Sequence, residues 1–278
     1  MSYLLGLYEK SMPNELSIEK KLVAGKRAGF DYMEISIDET LLKLRRLDWD
    51  KSKKKDLVDA MYRTELPIKS MCLSGHRKFP IGSNDKETVK KGMQIMRNAI
   101  DFASDIGIRI IQIAGYDVYY EKSSVDTVKR FGENLKICVE YASKKGVLLG
   151  FETMETEFMN TVEKAMKYVT RINSPYLNVY PDIGNLTNAA KMYNTDVLED
   201  ISKGNGKIVA AHLKETVPGK FREIPFGTGH VDFVSAIQVL RNFGVNMFTA
   251  EFWYIEKSDW EKRLKITNNF LRDKFIIE

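Results

Sequence analysis

Four segments place a metal-capable side chain near the end of a short apolar run: Leu148-Leu-Gly-Phe-Glu152, Leu177-Asn-Val-Tyr-Pro-Asp182, Ile208-Val-Ala-Ala-His212 and Met247-Phe-Thr-Ala-Glu251. Glu152, Asp182, His212 and Glu251 follow one another at intervals of 30, 30 and 39 residues, the span of one strand plus one helix. A single carboxylate at a strand end is commonly a helix N-cap or an ion-pair partner, and a single histidine is commonly a satisfied core residue. Four together are harder to explain in that way. Converging buried carboxylates repel and are costly unless a cation neutralises them. Three carboxylates and one imidazole suit one divalent ion (Mn²⁺, Mg²⁺, Co²⁺ or Zn²⁺) and do not choose among these.

Such a convergence needs elements that repeat. Runs rich in β-branched and apolar residues occur at 4–8, 32–37, 68–73, 109–114, 147–153, 177–182, 207–214 and 247–253. Amphipathic helical patterns lie near 15–28, 51–64, 85–106, 123–145, 160–172, 189–203, 233–243 and 257–274. Gly29, Gly107, Gly146 and Gly244 each stand just past a helical pattern, where glycine tolerates the left-handed conformation that ends a helix. Asp85 and Ser123 are expected N-caps. Eight alternating units in 278 residues predict an α/β fold, a single (β/α)₈ TIM barrel domain over 1–278. No glycine-rich phosphate turn follows the first run, which argues against a doubly wound open sheet. In a barrel, active sites sit at the C-terminal ends of the strands, where these four side chains fall.

Composition narrows the functional classes. The net charge of +5 is spread among interspersed acids and bases. The densest basic runs, at 43–46 and Lys51-Ser-Lys-Lys-Lys55, read as solvated helix faces rather than a nucleic-acid surface. Cys72 and Cys138 form no CxxC pattern and no disulfide framework. The start, Met1 to Tyr8, lacks the charged and apolar regions of a signal peptide. No run approaches the ~18 apolar residues of a membrane span. A soluble cytoplasmic protein with no membrane partner is expected.

The strand ends also carry a resemblance. Phe151-Glu-Thr-Met154, Tyr180-Pro-Asp-Ile-Gly-Asn185, Ala211-His-Leu-Lys-Glu215 and Ala250-Glu-Phe-Trp253 resemble the metal-binding strand ends of the xylose-isomerase-like barrel superfamily. Met71-Cys-Leu-Ser-Gly-His-Arg-Lys-Phe-Pro-Ile-Gly-Ser83, Pro218-Gly-Lys-Phe-Arg222 and Ile224-Pro-Phe-Gly-Thr-Gly229, leading to Val231-Asp-Phe233, are similar to the L-ribulose-5-phosphate (L-xylulose-5-phosphate) 3-epimerase family of pentulose and ascorbate catabolism. The likeness runs from the first strand to the last helix. It implies Glu152 and Glu251 as catalytic bases as well as ligands. The expected chemistry is inversion at C3 of a pentulose 5-phosphate: one Glu removes the proton, an enediolate forms, and the other Glu returns a proton on the opposite face.

The remaining candidates concern substrate. His76 and Arg77 after the third strand, with Lys214 and Arg222 after the seventh, supply cations for a phosphate. Asn185 can hydrogen-bond a hydroxyl, and Glu157 is a substrate contact or a surface residue. His230, Tyr116, Tyr119, Tyr120, Trp253 and Tyr254 line the mouth or pack its loops. The expected partners are a small sugar phosphate and, at most, a second copy of the chain in a homodimer. The rivals are a hexulose-phosphate isomerase, a nuclease of the endonuclease IV kind, and a non-catalytic sugar-phosphate sensor. The nuclease family uses many histidines, and this chain has three.

Overall fold

The computed structural model describes residues 2–256 and 258–276. Eight parallel strands are present: β1 (Leu4–Tyr8), β2 (Tyr32–Ile37), β3 (Ile68–Leu73), β4 (Ile110–Ala114), β5 (Leu148–Glu152), β6 (Leu177–Tyr180), β7 (Ala211–Leu213) and β8 (Met247–Ala250). They pair in the order β6-β5-β4-β3-β2-β1-β8-β7. Parallel bridges Val179↔Ile208 and Asp182↔His212 bring the two ends of this sheet together, so the expected barrel is formed. The helices are α1 (Ile18–Arg27), α2 (Leu41–Leu44), α3 (Lys51–Thr64), α4 (Lys86–Ile106), α5 (Val125–Lys145), α6 (Val162–Ile172), α7 (Ile183–Tyr193), α8 (Val197–Ser202), α9 (Phe233–Asn242) and α10 (Trp260–Lys274).

The period of two along each strand divides the side chains. Met33, Ile35 and Ile37 of β2 join the main apolar core together with Leu5, Leu7, Met71 and Leu73. The alternate residues Tyr32, Glu34 and Ser36 are also fully buried, but they point to the barrel interior, which is largely polar. There the Tyr32 hydroxyl lies 2.8 Å from Thr249 Oγ1, and the Tyr180 hydroxyl lies 2.8 Å from the same atom. Gly6 makes room for this layer: a Cβ there would stand 2.2 Å from the Tyr32 ring.

Several boundaries differ from the sequence expectation, each for a local reason. Strand β6 stops at Tyr180 because Pro181 has no N–H for the ladder. The pattern at 189–203 is two helices. Asn194 turns left-handed (φ 52°) to end α7, and Asp196 accepts from Leu198 and Glu199 N–H to start α8. Ser124, not Ser123, caps α5 in a reciprocal capping box with Thr127, while Ser123 donates to Asp117 at 2.6 Å. Lys257, the first residue of the predicted last helix, lies outside the described residues. The 43–46 run is a solvated face only at Arg45. Lys43 and Arg46 are buried and, with Lys21, surround the buried carboxylate of Glu9. Burial alone would raise the Glu9 carboxyl, but the Arg46 hydrogen bonds and the Lys43 and Lys21 charges hold it well below the carboxylate range.

Candidate metal centre

The four expected ligands converge. Glu152 ends β5, Asp182 follows β6, His212 is the middle of β7, and Glu251 follows β8. All are buried, and one donor atom from each can be chosen so that the set lies within 4.8 Å. His212 Nδ1 is 3.3 Å from Glu152 Oε1, 3.7 Å from Glu251 Oε2 and 3.9 Å from Asp182 Oδ2.

Asp182 performs both roles that a strand-end carboxylate can have. Its Oδ1 accepts from Asn185 N at 2.8 Å and caps α7, while its Oδ2 faces the centre. Thr153 fixes this junction, because Asp182 N donates to its hydroxyl at 2.9 Å and Asn185 Nδ2 donates to its carbonyl at 2.7 Å. The backbone of Glu251 is tied to β7 through its N–H to Leu213 O at 2.9 Å.

The imidazole is oriented from behind. Glu34 Oε1 lies 2.7 Å from His212 Nε2, which makes Nε2 the donor to Glu34 and turns Nδ1 toward the carboxylates. Glu34 is itself held by the hydroxyls of Ser70 (2.7 Å) and Tyr180 (2.9 Å). Gln112 Nε2 donates to Glu152 Oε2. Glu34, Gln112 and Thr153 support the centre, and the sequence reading singled out none of them.

The electrostatics suit a cation. Burial pushes the Glu152 carboxyl up, and repulsion from Glu251 adds to this. Burial raises Asp182 too, beyond what Lys214 can offset. At Glu251 burial acts in the same direction, but the Lys214 ammonium and His212 outweigh it and hold this group low. Burial lowers the affinity of His212 for a proton, yet Glu34 and Glu251 raise it well above the usual value. Asp182 Oδ2 and Glu251 Oε2 are buried and accept no hydrogen bond of regular geometry, although Lys214 pairs with both. Three buried carboxylates and one imidazole around one point are a donor set that fits a divalent ion, which would take the place of the imidazole's second proton.

A cavity of about 50 Å³ opens from the centre, lined by Glu152, Glu251, Asn185, Lys214, Arg77, Arg222, Glu155 and Trp253 among others. Asn185 Oδ1 is buried there without a partner. Arg77 stacks on Tyr119 at 4.7 Å and donates to the Tyr116 hydroxyl at 3.3 Å. Arg222 stacks on Trp253 at 5.3 Å. Both guanidinium groups face Glu155, at 4.0 and 3.6 Å. The cations are thus distributed differently from the sequence expectation. Lys214 pairs with Asp182 and Glu251 of the candidate metal centre. His76 is packed away from the cavity with Nε2 3.1 Å from Gly92 O, where burial pushes its pKa down to about 4. Glu157 is exposed and does not line the cavity; Glu155, two residues earlier, does. His230 bonds Thr216 at 3.1 Å, and Tyr120 is exposed and donates to Glu39, so neither joins the lining. His212 is the one histidine of the three at the centre.

Comparison with known proteins agrees with this architecture. Residues 22–274 match the model of the xylose isomerase-like TIM barrel family. L-ribulose-5-phosphate 3-epimerase UlaE of Escherichia coli is 44% identical over 250 residues, covering 90% of this chain and 87% of that protein. The protein of the same name from Shigella flexneri matches equally, at 44% over 90% and 87%. Among solved structures, D-allulose 3-epimerase from Methylomonas sp. superposes with a TM-score of 0.79 at 18% identity over 99% of both chains. D-psicose 3-epimerase from Clostridium cellulolyticum H10 gives 0.81 at 13%, over 99% of this chain and 100% of that one. At such identities the structural likeness speaks for the fold alone. The chain belongs to the xylose isomerase-like TIM barrel family and, within it, to the group of the L-ribulose-5-phosphate 3-epimerases.

Proposed function

We propose that this protein is a metal-dependent epimerase that inverts C3 of a pentulose 5-phosphate, interconverting L-ribulose 5-phosphate and L-xylulose 5-phosphate. The carrying observation is that two buried carboxylates, Glu152 from β5 and Glu251 from the end of β8, share one candidate ion site and line one cavity. Inversion at a carbon needs a base on one face and an acid on the other, and two glutamates on either side of Asp182 and His212 supply them. Glu152, Asp182, His212 and Glu251 would hold one divalent ion, Mn²⁺, Mg²⁺, Co²⁺ or Zn²⁺. When bound, that ion supplies Lewis-acid stabilisation of charge developing on substrate oxygens. One Glu takes the C3 proton and the other delivers one. Gln112 orients Glu152, and Asn185 Oδ1 accepts from a substrate hydroxyl.

Arg77 and Arg222 are the phosphate ligands in this reading. The cavity between these side chains is small, about 50 Å³, and in this reading a sugar phosphate enters by displacing part of the rim. The Arg222–Glu155 pair, with Arg222 44% exposed, is the weak point. There the phosphate replaces Glu155 as the partner of both guanidinium groups. We read residues 1–278 as one barrel domain working in the cytoplasm, where phosphorylated sugars occur. Among the described residues no helix is long and apolar enough to cross a membrane.

A panel of pentulose and hexulose phosphates with added Mn²⁺, followed by NMR, tests the function. The expected result is interconversion of the two L-pentulose 5-phosphates. Turnover of hexulose phosphates alone, or no turnover, refutes it.

A further inference from the structure

Lys214 stands two residues past His212, so the chain directs both side chains to the same face of β7 and its extension. Its side chain is almost fully buried, at 5% exposure. Its Nζ lies 2.8 Å from Asp182 Oδ2 and 3.1 Å from Glu251 Oε2. These are the same two oxygens that face His212 Nδ1 and accept no regular hydrogen bond. A divalent ion would sit ~2.0–2.6 Å from those oxygens and draw on the same lone pairs. Two cations on one pair of carboxylate oxygens also repel each other. The lysine has somewhere to go, because it lines the cavity together with Trp253, whose ring centre is 5.8 Å from Nζ.

We propose that Lys214 is an internal competitor of the metal: its ammonium and the divalent ion exclude each other from Asp182 Oδ2 and Glu251 Oε2, so that ion uptake moves the ammonium into the cavity, where it donates to a substrate oxygen. The lysine then neutralises the carboxylates until the ion arrives and becomes a substrate ligand once it does. The inference rests on the metal-centred reading above.

Titration calorimetry with Mn²⁺ tests it, on wild type, Lys214→Met and Lys10→Met. Lys10 also lines the cavity, but its Nζ pairs with Asp38 at 2.6 Å, so its removal controls for lost positive charge alone. Lys214→Met should bind Mn²⁺ about tenfold more tightly or better, because a buried competitor has gone, and Lys10→Met should change little. Unchanged or weaker binding in Lys214→Met overturns the proposal, as does equal tightening in both variants. A wild type that binds no Mn²⁺ overturns it together with the metal-centred reading, whereas binding without the Lys214 effect overturns the competition alone. If metal-free Lys214→Met does not fold, Lys214→Gln purified with Mn²⁺ carries the test through chelator-driven release. Slower release than wild type supports the proposal, and equal or faster release overturns it.

Discussion

Replacing Glu34 with glutamine should weaken divalent-ion binding without touching any candidate ligand. The carboxylate is fully buried and takes three contacts: His212 Nε2 at 2.7 Å, Ser70 Oγ at 2.7 Å and the Tyr180 hydroxyl at 2.9 Å. It accepts all three protons. A glutamine has one acceptor oxygen and an NH₂, so the three donors lose an acceptor, and Ser70 or Tyr180 must turn its hydroxyl to accept or leave a proton unpaired. Leaving a buried donor unpaired costs about 1–3 kcal/mol. In a chain of this size each kcal/mol corresponds to ~2–4 °C of Tm, so the metal-free variant should melt several degrees lower. The imidazole also loses the anion that sets its tautomer. Partners of this kind typically alter metal affinity by about 10–100-fold, equivalent to ~1.4–2.7 kcal/mol. Calorimetric titration of Mn²⁺ into wild type and Glu34→Gln reads the affinity, and a thermal melt reads the stability. An unchanged Mn²⁺ affinity in a variant whose melt shows the expected loss would refute the claim that Glu34 orients a metal ligand, and would leave it a purely structural carboxylate.

Other consequences can be checked separately. Asp182→Asn keeps a good cap for α7 but replaces an anionic ligand, so metal affinity should fall with little loss of stability. Asp182→Ala should lose about 1 kcal/mol more in urea unfolding, and equal stability of the two would remove the capping role. Arg77→Met and Arg222→Met should weaken phosphorylated substrates by ~10–150-fold, the equivalent of ~1.5–3 kcal/mol for a charge-assisted hydrogen bond, and free sugars far less; equal losses on both would assign the pair to structure. His76 has its folded pKa held down to about 4 by burial, against an ordinary 6.5. The unfolded chain therefore takes up this proton first as pH falls. Stability is full above pH 6.5, declines by up to ~1.4 kcal/mol per pH unit below it, and is down by roughly 3 kcal/mol below pH 4. The stability advantage of wild type over His76→Gln should accordingly shrink between pH 7 and 5 in urea titrations, and a constant difference would contradict it.

The barrel was legible because each strand end and each helix stop follows a local rule. Gly107, Gly146 and Gly244 adopt φ of 85°, 67° and 82° where the pattern breaks, as glycine past a helix should. The convergence of the four candidate ligands was legible because a parallel strand buried on both faces leaves few reasons for a charge at its end. Glu34 escaped for the converse reason. It lies in the middle of β2, and only the packing of Tyr180 and His212 across the barrel makes it a partner of the site. Tertiary context likewise decided the 43–46 run, where Lys43 and Arg46 are buried because Glu9, in the turn just after β1, meets them. The loop Met154-Glu155-Thr156-Glu157 has no period, so local pattern did not tell which carboxylate faces the cavity. His76 lies beside Arg77 in sequence, but the single 3-10 turn at Gly75–Arg77 sends the two side chains to different places.

The central claim is proton exchange at C3 by two glutamates, and heavy water tests it most directly. If Glu152 and Glu251 act from opposite faces, the proton taken by one is not the proton returned by the other. The returned proton comes from a carboxylic acid that has exchanged with solvent. Product formed in heavy water, read by NMR, should therefore carry one deuterium at C3, and Glu152→Gln and Glu251→Gln should each abolish epimerisation while the fold persists. Epimerised product free of deuterium at C3, or full activity in either glutamine variant, would contradict the two-base mechanism.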